Sequence, residues 1–246
     1  MNSPCTVETS NLSYRWIKAV RVAMQHQGEI ELLTVSITGF QGAQPEENST
    51  VRKELDRSLR ENGKFSCHTV ANTIFPLSLW NKANGAQALY ARYLRILPKL
   101  GRCCRVNAYG LYFGRMIQYG AGRINQLDHI ITTRRDRQNS RRSALQVVIF
   151  DPAKDHTHQR RRGFPCLHQV TFTPTANGGL AVTGYYPVQY LYEKAYGNYL
   201  GLYRIGSFVA HELSLRLNKI TCISNIAIFD MPGQNKFKDF IMSVEE

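Results

Sequence analysis

The chain has 246 residues, of which 43% are hydrophobic and 20% are charged, close to the usage of ordinary globular domains. This composition excludes a disordered chain, a collagen-like fibre and a coiled-coil rod, and no apolar run approaches the roughly 18 to 20 residues that span a bilayer. The N-terminal residues lack the basic and apolar regions of a secretory signal, so we expect a cytoplasmic protein with reduced cysteines.

The first hundred residues combine helical and extended patterns. From Leu12 onward, apolar residues recur with a helical period that stops at Gly28. The predicted elements, in chain order, are a helix over 12–26, a strand over 30–38, a loop over 41–49, an extended segment over 66–76 and a helix over 85–97 that ends before Pro98.

The rest of the chain contains a strong hairpin signal, because Asn177-Gly178-Gly179 separates two apolar runs. Since helices and strands mix without strict βαβ alternation, we predict a single α+β domain over residues 1–246. The predicted elements are strand and turn near a pocket over 105–120, a helix over 124–138, a buried strand over 147–150, paired strands over 169–173 and 180–186, a helix over 198–217 and a strand over 220–229.

The charge is basic and uneven. Lys and Arg number 31 against 18 Asp and Glu, a formal net charge of +13. Residues 134–162 hold nine basic and three acidic residues. This balance predicts an anionic partner, which is a nucleic acid, a membrane surface or a phosphorylated small molecule. No helix-turn-helix, zinc-finger or RNA-binding motif accompanies the charge.

The cysteines and histidines do not predict a metal site. The six cysteines form no Cys-x-x-Cys pair, and they share no zinc-ligand spacing with the seven histidines. We therefore expect no bound metal, and the simplest interpretation of each cysteine is a small buried apolar residue.

Five short motifs follow one another in the second half of the chain. They are Tyr109-Gly110, Asn125-Gln126-Leu127-Asp128, Ser140-Arg141-Arg142, Pro165-Cys166 and the helix start at Asn198. In this order and spacing, residues 105–230 resemble the superfamily of thymidylate synthases and pyrimidine nucleotide hydroxymethylases. The resemblance implies a mixed, twisted β-sheet flanked by helices.

Cys166 is the candidate nucleophile that the resemblance implies. In that superfamily a cysteine thiolate adds to C6 of a pyrimidine nucleotide, and C5 then attacks a one-carbon donor. Cations favour the thiolate, and Arg160 to Arg162 precede Cys166, so we expect it to be the most reactive thiol. The alternative is a structural cysteine at the start of a strand.

Ser140, Arg141 and Arg142 are the candidate phosphate-binding residues. A guanidinium makes two parallel bonds to phosphate oxygens. In the superfamily these arginines reach into the neighbouring subunit's site, so the resemblance implies a homodimer with shared active sites. The alternatives are a solvated basic face and a nucleic-acid-binding patch.

Asn198 and Tyr109 are the candidate base-binding residues. An amide offers a donor and an acceptor, so Asn198 would read O4 and N3–H of a uracil. The alternatives for Asn198 are a helix N-cap and an alignment that places Ile205 at this position. Tyr109, like Tyr112, Arg115 and Tyr119, would line the pocket, and core packing is the alternative for these aromatic residues.

Several superfamily features are replaced. The Arg-Ser-x-Asp motif is Tyr186-Pro187-Val188-Gln189 here, and the His-x-Tyr that binds the sugar hydroxyl is Ala227-Ile228-Phe229. In the superfamily a glutamate organises water beside the base. Glu31 and Glu54 are candidates for this glutamate, but only by their positions in the sequence. The tail that folds over a bound folate is not recognisable, which weakens the expectation of 5,10-methylenetetrahydrofolate as the donor.

Three functions remain open at the level of sequence. The first is a divergent pyrimidine nucleotide C5 methyl- or hydroxymethyltransferase that uses Cys166 and binds a pyrimidine nucleoside monophosphate. The second is a catalytically reduced nucleotide-binding protein with the same fold. The third is a basic nucleic-acid-binding protein, supported by charge alone.

Overall fold

A computed structural model describes residues 5–40, 45–103, 111–136, 141–156, 164–231 and 235–245, and the structural statements below concern these residues. The strands are β1 (Cys5–Thr9), β2 (Glu29–Thr38), β3 (Gln146–Val148), β4 (Gln169–Thr175), β5 (Gly179–Tyr190) and β6 (Arg216–Ile228). The α-helices are α1 (Leu12–Gln25), α2 (Ser49–Glu61), α3 (Cys67–Ile74), α4 (Gly85–Cys103), α5 (Tyr112–Ile117), α6 (Gln126–Asp136), α7 (Pro152–Asp155), α8 (Tyr196–Glu212) and α9 (Asn235–Ser243).

The strands form one mixed sheet in the order β1-β2-β6-β5-β4-β3. α1 joins the parallel pair of β1 and β2, and α8 joins the parallel pair of β5 and β6, so the fold contains two βαβ units. β2 and β6 pair antiparallel between the units, while β4 and β3 extend the sheet antiparallel at one edge. The predicted α+β class is confirmed, and the closer likeness to thymidylate synthases stays a prediction.

Helix α1 begins where Asn11 caps its first turn, since Asn11 Oδ1 accepts from the N–H of Ser13 at 2.9 Å. Its apolar face packs on the sheet and includes the fully buried Trp16. The indole Nε1 of Trp16 donates to the carbonyl of Leu191 at 2.7 Å. The polar atom of this large core side chain is therefore hydrogen-bonded, and the bond connects α1 to the turn that precedes α8.

Helix α8 lies at the centre of the protein, and 15 of its 17 residues are buried. Glycines let α3 approach it closely. A Cβ at Gly197 would lie 2.5 Å from Val70 Cβ, and one at Gly201 would lie 2.8 Å from Ile74 Cδ1. The apolar burial of α8 on all sides therefore comes from packing within the protein.

None of the helices in the described ranges is long and apolar enough to cross a membrane.

The other side of α8 packs on the sheet. A Cβ at Gly184 of β5 would lie 2.8 Å from Leu202 Cδ2, and a Cβ at Gly206 would lie 2.9 Å from Val182 Cγ2. The contact between Leu202 and Gly184 fixes which face of α8 meets β5. Because residues four apart share a helix face, Asn198 lies on this same face, one turn before Leu202.

The sheet has a second face, which we call the open face. Alternation along the strands places on this side the odd-numbered residues of β4, of β5 as far as Tyr185 and of β6 from Thr221 to Ile223, and the even-numbered residues of β2 from Thr34 onward. These side chains are mostly small and polar, and they keep contact with solvent. The partly exposed members are Thr34, Thr38, Thr171, Thr173, Ala181, Thr183, Tyr185, Thr221 and Ile223.

Helix α9 docks against α1. The Arg21 guanidinium of α1 donates to the carbonyl of Ile241 at 3.1 Å from Nε and 2.7 Å from Nη2. Phe237 of α9 packs on Trp16 and Tyr192, with ring centroids 6.3 Å and 5.8 Å away. Cationic capping of the last carbonyls and aromatic burial therefore hold residues 235–245 on α1.

Two predictions in the first hundred residues are wrong. Residues 66–76 are not extended, because Cys67–Ile74 form α3, capped by Ser66 Oγ, which accepts from the N–H of Thr69 at 3.2 Å. The helix predicted to end before Pro98 continues to Cys103. Pro98 removes one helical hydrogen bond, yet the helix continues beyond it, and the Arg102 side chain donates from Nε to the Pro98 carbonyl at 3.2 Å.

Two predictions in the second half also need correction. Within 105–120, residues 112–117 are the helix α5 rather than a strand, although Leu111, Gly114 and Arg115 do line a cavity of about 330 Å³. The helix predicted over 198–217 ends at Glu212. Ser214 takes a left-handed φ of 55°, and β6 begins two residues later.

We predict that Gly197→Ala destabilises the protein by about 1–3 kcal/mol, because the new methyl group would overlap Val70 and would lie 2.8 Å from the Cys67 carbonyl oxygen. Chemical denaturation measures this loss. Gly101→Ala in α4 is the matched control. A Cβ there meets nothing within 4 Å, so the control should gain about 0.5–1 kcal/mol. Equal effects of the two substitutions would contradict the close helix packing.

Candidate functional site

Cys166 lies just before β4, in the segment that enters the sheet beside the carboxyl end of β5. Two residues later, the N–H of His168 donates to the carbonyl of Tyr185 at 3.0 Å, which fixes this position. The N–H of Cys166 donates to Tyr112 Oη at 3.3 Å, and the Cys166 side chain is half-buried. Tyr112 therefore contacts Cys166, and a role for it in binding stays a prediction.

A group of polar side chains surrounds Tyr186, which is fully buried on the helix-covered face of β5. The phenol of Tyr186 lies within electrostatic range of Cys166, Cys222, Tyr112 and Tyr199. Gln189 and Ser224 contact Cys222 and each other. We call this group the Tyr186 cluster: Tyr112, Cys166, Tyr186, Gln189, Tyr199, Cys222 and Ser224.

Two hydroxyls of the Tyr186 cluster have no protein partner. Tyr186 Oη and Tyr199 Oη are buried without a hydrogen bond to any described residue. Burial raises the pKa of both phenols, so both are neutral donors at physiological pH. Buried polar atoms are normally hydrogen-bonded, and a polar ligand would satisfy these two.

The amide of Gln189 connects Ser224 and Cys222 within the Tyr186 cluster. Ser224 Oγ donates to Gln189 Oε1 at 2.9 Å, and Gln189 Nε2 lies 3.4 Å from Cys222 Sγ. Burial raises the pKa of Cys222 to about 12, so this thiol stays protonated and acts as a packing and hydrogen-bonding group.

Asn198 is 4% exposed, and its side chain makes no hydrogen bond with the described residues. It is the third residue of α8, behind the π-helical turn Leu191–Ala195, so the alternative of a helix N-cap is wrong. Its helix face meets β5 one turn before the contact of Leu202 with Gly184, and from this spacing we infer that Asn198 lies towards Tyr186. The rival candidate Ile205 is a fully buried core residue.

The groups around Cys166 shift the pKa of its thiol in opposite directions. Burial raises its pKa, while Lys194 and the hydroxyl of Tyr112 lower it and Glu193 raises it again. The net direction is upward, so the expectation of a cation-activated thiolate is not met by the described residues. Arg160 to Arg162 lie outside them.

Lys194 and Glu193 were not anticipated from the sequence. Both belong to the turn before α8, and the Lys194 ammonium lies 2.7 Å from a Glu193 carboxylate oxygen. Lys64 of the α2–α3 connection binds the other oxygen at 2.9 Å. The only sequence signal was an adjacent acid and base just before the Asn198 helix, a common pattern on protein surfaces.

Arg141 and Arg142 are exposed and stand at the other end of the strands from Cys166. The register pairs Gln146 with Thr171 and Val148 with Gln169, so the chain before β3 lies beside the carboxyl end of β4. Cys166 precedes the amino end of β4, about 20 Å away along the strand. One chain therefore does not bring these arginines to its own Cys166. Ser140 and Tyr109 lie outside the described residues.

Other residues singled out in the sequence have structural roles. Arg115 forms two bonds with Asp155, at 2.6 Å and 2.8 Å, and Tyr119 Oη donates to the Phe150 carbonyl at 2.7 Å. Glu31 is exposed on β2, and Glu54 pairs with Arg57 on α2. Neither glutamate belongs to the Tyr186 cluster, so both are wrong as candidates.

No protein-family model matches this sequence, and no curated protein matches it either. Among the described residues no group of three or more His, Cys, Asp or Glu side chains is arranged to hold a metal ion. The functional assignment therefore depends on the geometry of the Tyr186 cluster and on the sequence motifs.

We predict that alkylation with iodoacetamide at pH 7.5 follows burial and thiol pKa among the four described cysteines. Exposed Cys103 should react first, Cys166 more slowly, and Cys67 and Cys222 only on unfolding. Lys194→Gln removes a cation that lowers the Cys166 pKa, so the rate profile of Cys166 should move to higher pH. The exposed Lys99→Gln is the control, and mass spectrometry of peptides reads each site. Faster alkylation of Cys166 than of Cys103 would contradict the raised pKa.

Proposed function

We propose that this chain is a divergent thymidylate synthase-like homodimer that binds a pyrimidine nucleoside monophosphate at the Tyr186 cluster and transfers a methyl or hydroxymethyl group to C5 through Cys166. The observation that carries the proposal is the meeting of a half-buried thiol with unsatisfied donors in one place. Cys166 and Tyr199 each lie within electrostatic range of Tyr186, and the hydroxyls of Tyr186 and Tyr199 have no hydrogen-bond partner among the described residues. A cytoplasmic location belongs to the same proposal.

The base would lie between Cys166 and Asn198. The free amide of Asn198 supplies one donor and one acceptor, which match O4 and N3–H of a uracil ring. The two neutral phenols supply further donors for ring or sugar oxygens. These donors replace the Arg-Ser and His-x-Tyr groups that the sequence lacks, so we expect the sugar to be read differently from a standard deoxyribose.

The phosphate would be bound by Arg141 and Arg142 of the neighbouring subunit. Both side chains are exposed and have no ion pair with the described residues, and the register keeps them away from Cys166 of their own chain. Contact between two open faces would bring the arginines of one subunit towards the site of the other. A flat surface of small threonines and one isoleucine suits such sheet-on-sheet packing.

The chemistry assigned to Cys166 is covalent catalysis. The thiol first loses its proton to solvent, and Tyr112 and Lys194 stabilise the resulting sulfur anion. The thiolate forms a bond to C6, and the electron pair of the C5–C6 double bond moves to C5, which becomes the nucleophile. A one-carbon donor would supply the carbon together with its leaving group, and for a methyl product also the hydride. Loss of the C5 proton to solvent and expulsion of the thiolate then restore the double bond.

The proposed one-carbon donor is 5,10-methylenetetrahydrofolate. The described residues do not supply a recognisable folate site. The C-terminal helix is held on α1 by Arg21 and Phe237 and does not cover Cys166, and the cavities described here are lined by other residues.

A second candidate function is nucleotide binding without turnover. It is favoured by the raised pKa of Cys166, because a protonated thiol does not add to C6. Such a protein would keep the base site and the shared phosphate site. Titration with nucleotides and a search for a covalent adduct on Cys166 separate these two candidates.

We predict that pyrimidine nucleoside monophosphates bind more tightly than the matching nucleosides, and that Arg142→Ala removes this difference. Loss of a charge-assisted phosphate bond typically weakens affinity roughly 10- to 150-fold. Isothermal titration measures both ligands on each variant. Arg60→Ala, an exposed arginine of α2, is the control and should keep the preference. Retention of the preference by Arg142→Ala would contradict the phosphate site.

We predict a covalent adduct on Cys166 when the protein is incubated with a pyrimidine monophosphate and 5,10-methylenetetrahydrofolate. Denaturing mass spectrometry should show the added mass, and Cys166→Ser should abolish it while Cys103→Ser keeps it. Tight monophosphate binding without an adduct would reject the transferase and leave the nucleotide-binding candidate. Binding to duplex DNA that falls steeply with salt, without monophosphate binding, would favour a nucleic-acid partner instead.

We predict that Ile223→Lys converts the dimer into monomers. Ile223 lies at the centre of the open face, paired with Thr34 and Tyr185, and a charge buried there would have no partner. Sedimentation at micromolar concentration measures the assembly state. Ile124→Lys replaces an exposed apolar residue elsewhere and should leave the dimer intact. A wild-type protein that sediments as a monomer would contradict shared sites.

A further inference from the structure

A second cavity, of about 260 Å³, lies between α2, α3, α8 and the segment after α3. None of its lining residues belongs to the Tyr186 cluster. Its walls combine two arginines with aromatic and aliphatic side chains. The charged and aromatic side chains of this lining are Glu47, Arg52, His68, Trp80, Tyr203 and Arg204.

Arg204 is a buried cation without a carboxylate partner. Its residue is 7% exposed, and its guanidinium donates to Asn72 Oδ1 at 3.0 Å and contacts His68 Nδ1 at 2.9 Å. No carboxylate oxygen of a described residue forms an ion pair with it. Burial, together with the nearby Arg52, lowers the pKa of Arg204 to about 10. Buried charges are normally paired, so this guanidinium has an unused capacity for an anion.

The carboxylates of Glu47 and Asp56 contact Arg52 rather than Arg204. Arg52 binds a Glu47 oxygen at 2.8 Å and an Asp56 oxygen at 2.9 Å. The same Glu47 oxygen accepts from Tyr196 Oη at 2.7 Å. His68 does not add a competing charge, because burial and the two arginines lower its pKa. The two arginines and the two carboxylates balance in charge, and Glu47 acts on Arg204 only from a distance by raising its pKa. The Arg204 guanidinium therefore has no direct carboxylate contact among the described residues.

The opposite wall of the cavity is apolar and held firmly. Trp80 packs edge-on against Phe75 and Phe208, with ring centroids 5.6 Å from each. Its Nε1 is buried without a hydrogen-bond partner among the described residues. Tyr203 lies on the α8 side and packs against Phe40 at 4.9 Å. The lining of this cavity therefore combines a guanidinium with aromatic side chains.

We propose that this cavity binds a small organic carboxylate, whose carboxylate group pairs with Arg204 and whose apolar body lies against Trp80 and Tyr203. A guanidinium forms parallel bonds to a carboxylate, which suits the charge and the width of the group. The Glu47 carboxylate on the cavity wall disfavours a dianion such as phosphate. This site is separate from the nucleotide site and does not depend on it.

The test uses benzoate as the probe and benzamide as its neutral counterpart. The chain has two tryptophans. Trp16 is fully buried, so a ligand in the cavity should change mainly the fluorescence of Trp80. We expect saturable binding of benzoate, with benzamide and inorganic phosphate at least about tenfold weaker. The comparison of wild-type affinities decides the question even where a variant does not fold.

Arg204→Gln should erase the preference for benzoate over benzamide, while Arg95→Gln, an exposed arginine of α4, should keep it. Three results would overturn the proposal: equal affinities of benzoate and benzamide, tighter binding of phosphate than of benzoate, or no saturable response to benzoate up to about 10 mM. Retained preference in a folded Arg204→Gln protein would overturn the role of Arg204.

Discussion

The close contact of α8 with α3 fixes the depth and rotation of the central helix, and both proposed sites depend on it. Gly197 and Gly201 remove the side chains that would otherwise separate the two helices. With that contact set, Leu202 presses on Gly184 of β5, and from this spacing we infer that Asn198 lies towards Tyr186. The same rotation turns later residues of α8, including Arg204, towards the second cavity. A shift of one residue along α8 would rotate the helix by about 100° and misplace both sites.

Burial governs the chemistry of the Tyr186 cluster more than charge does. It raises the pKa of the phenols of Tyr186 and Tyr199 and of both cysteine thiols in the cluster. Neutral donors are well suited to read the oxygens of a base. The same burial keeps Cys166 protonated, so a nucleophilic role requires Lys194 or another cation to stabilise the thiolate.

Local sequence signals correctly predicted those helices and turns whose formation depends on interactions between residues close in sequence. The helical period from Leu12, the hairpin turn at Asn177-Gly178-Gly179 and the apolar helix after Asn198 all correspond to elements of the structure. Prediction failed where packing overrides local preference. Pro98 is tolerated inside α4, and the short apolar segment at Cys67–Ile74 is helical because α8 supplies its partner.

The candidate site was predictable only in part. Cys166 and Asn198 were identified from motifs, and helix periodicity places Asn198 on the face that meets β5. The contacts of Cys166 with Tyr112 and Lys194 depend on chain segments far apart in sequence, and no spacing indicates them. The separation of Arg142 from Cys166 follows from the β3–β4 register, which the sequence does not specify.

The central claim is that Cys166 and Arg142 meet only across a dimer, and a thiol crosslink tests it directly. Arg142→Cys in a Cys103→Ser background is treated with a bifunctional maleimide whose spacer is about 10 Å, half the length of β4 at about 3.3 Å per residue. Peptide mapping identifies the linked residues. A covalent dimer joined through positions 142 and 166 is the predicted product. A link between these positions within one chain, or a reactive Cys166 that forms no link to position 142, would contradict the claim.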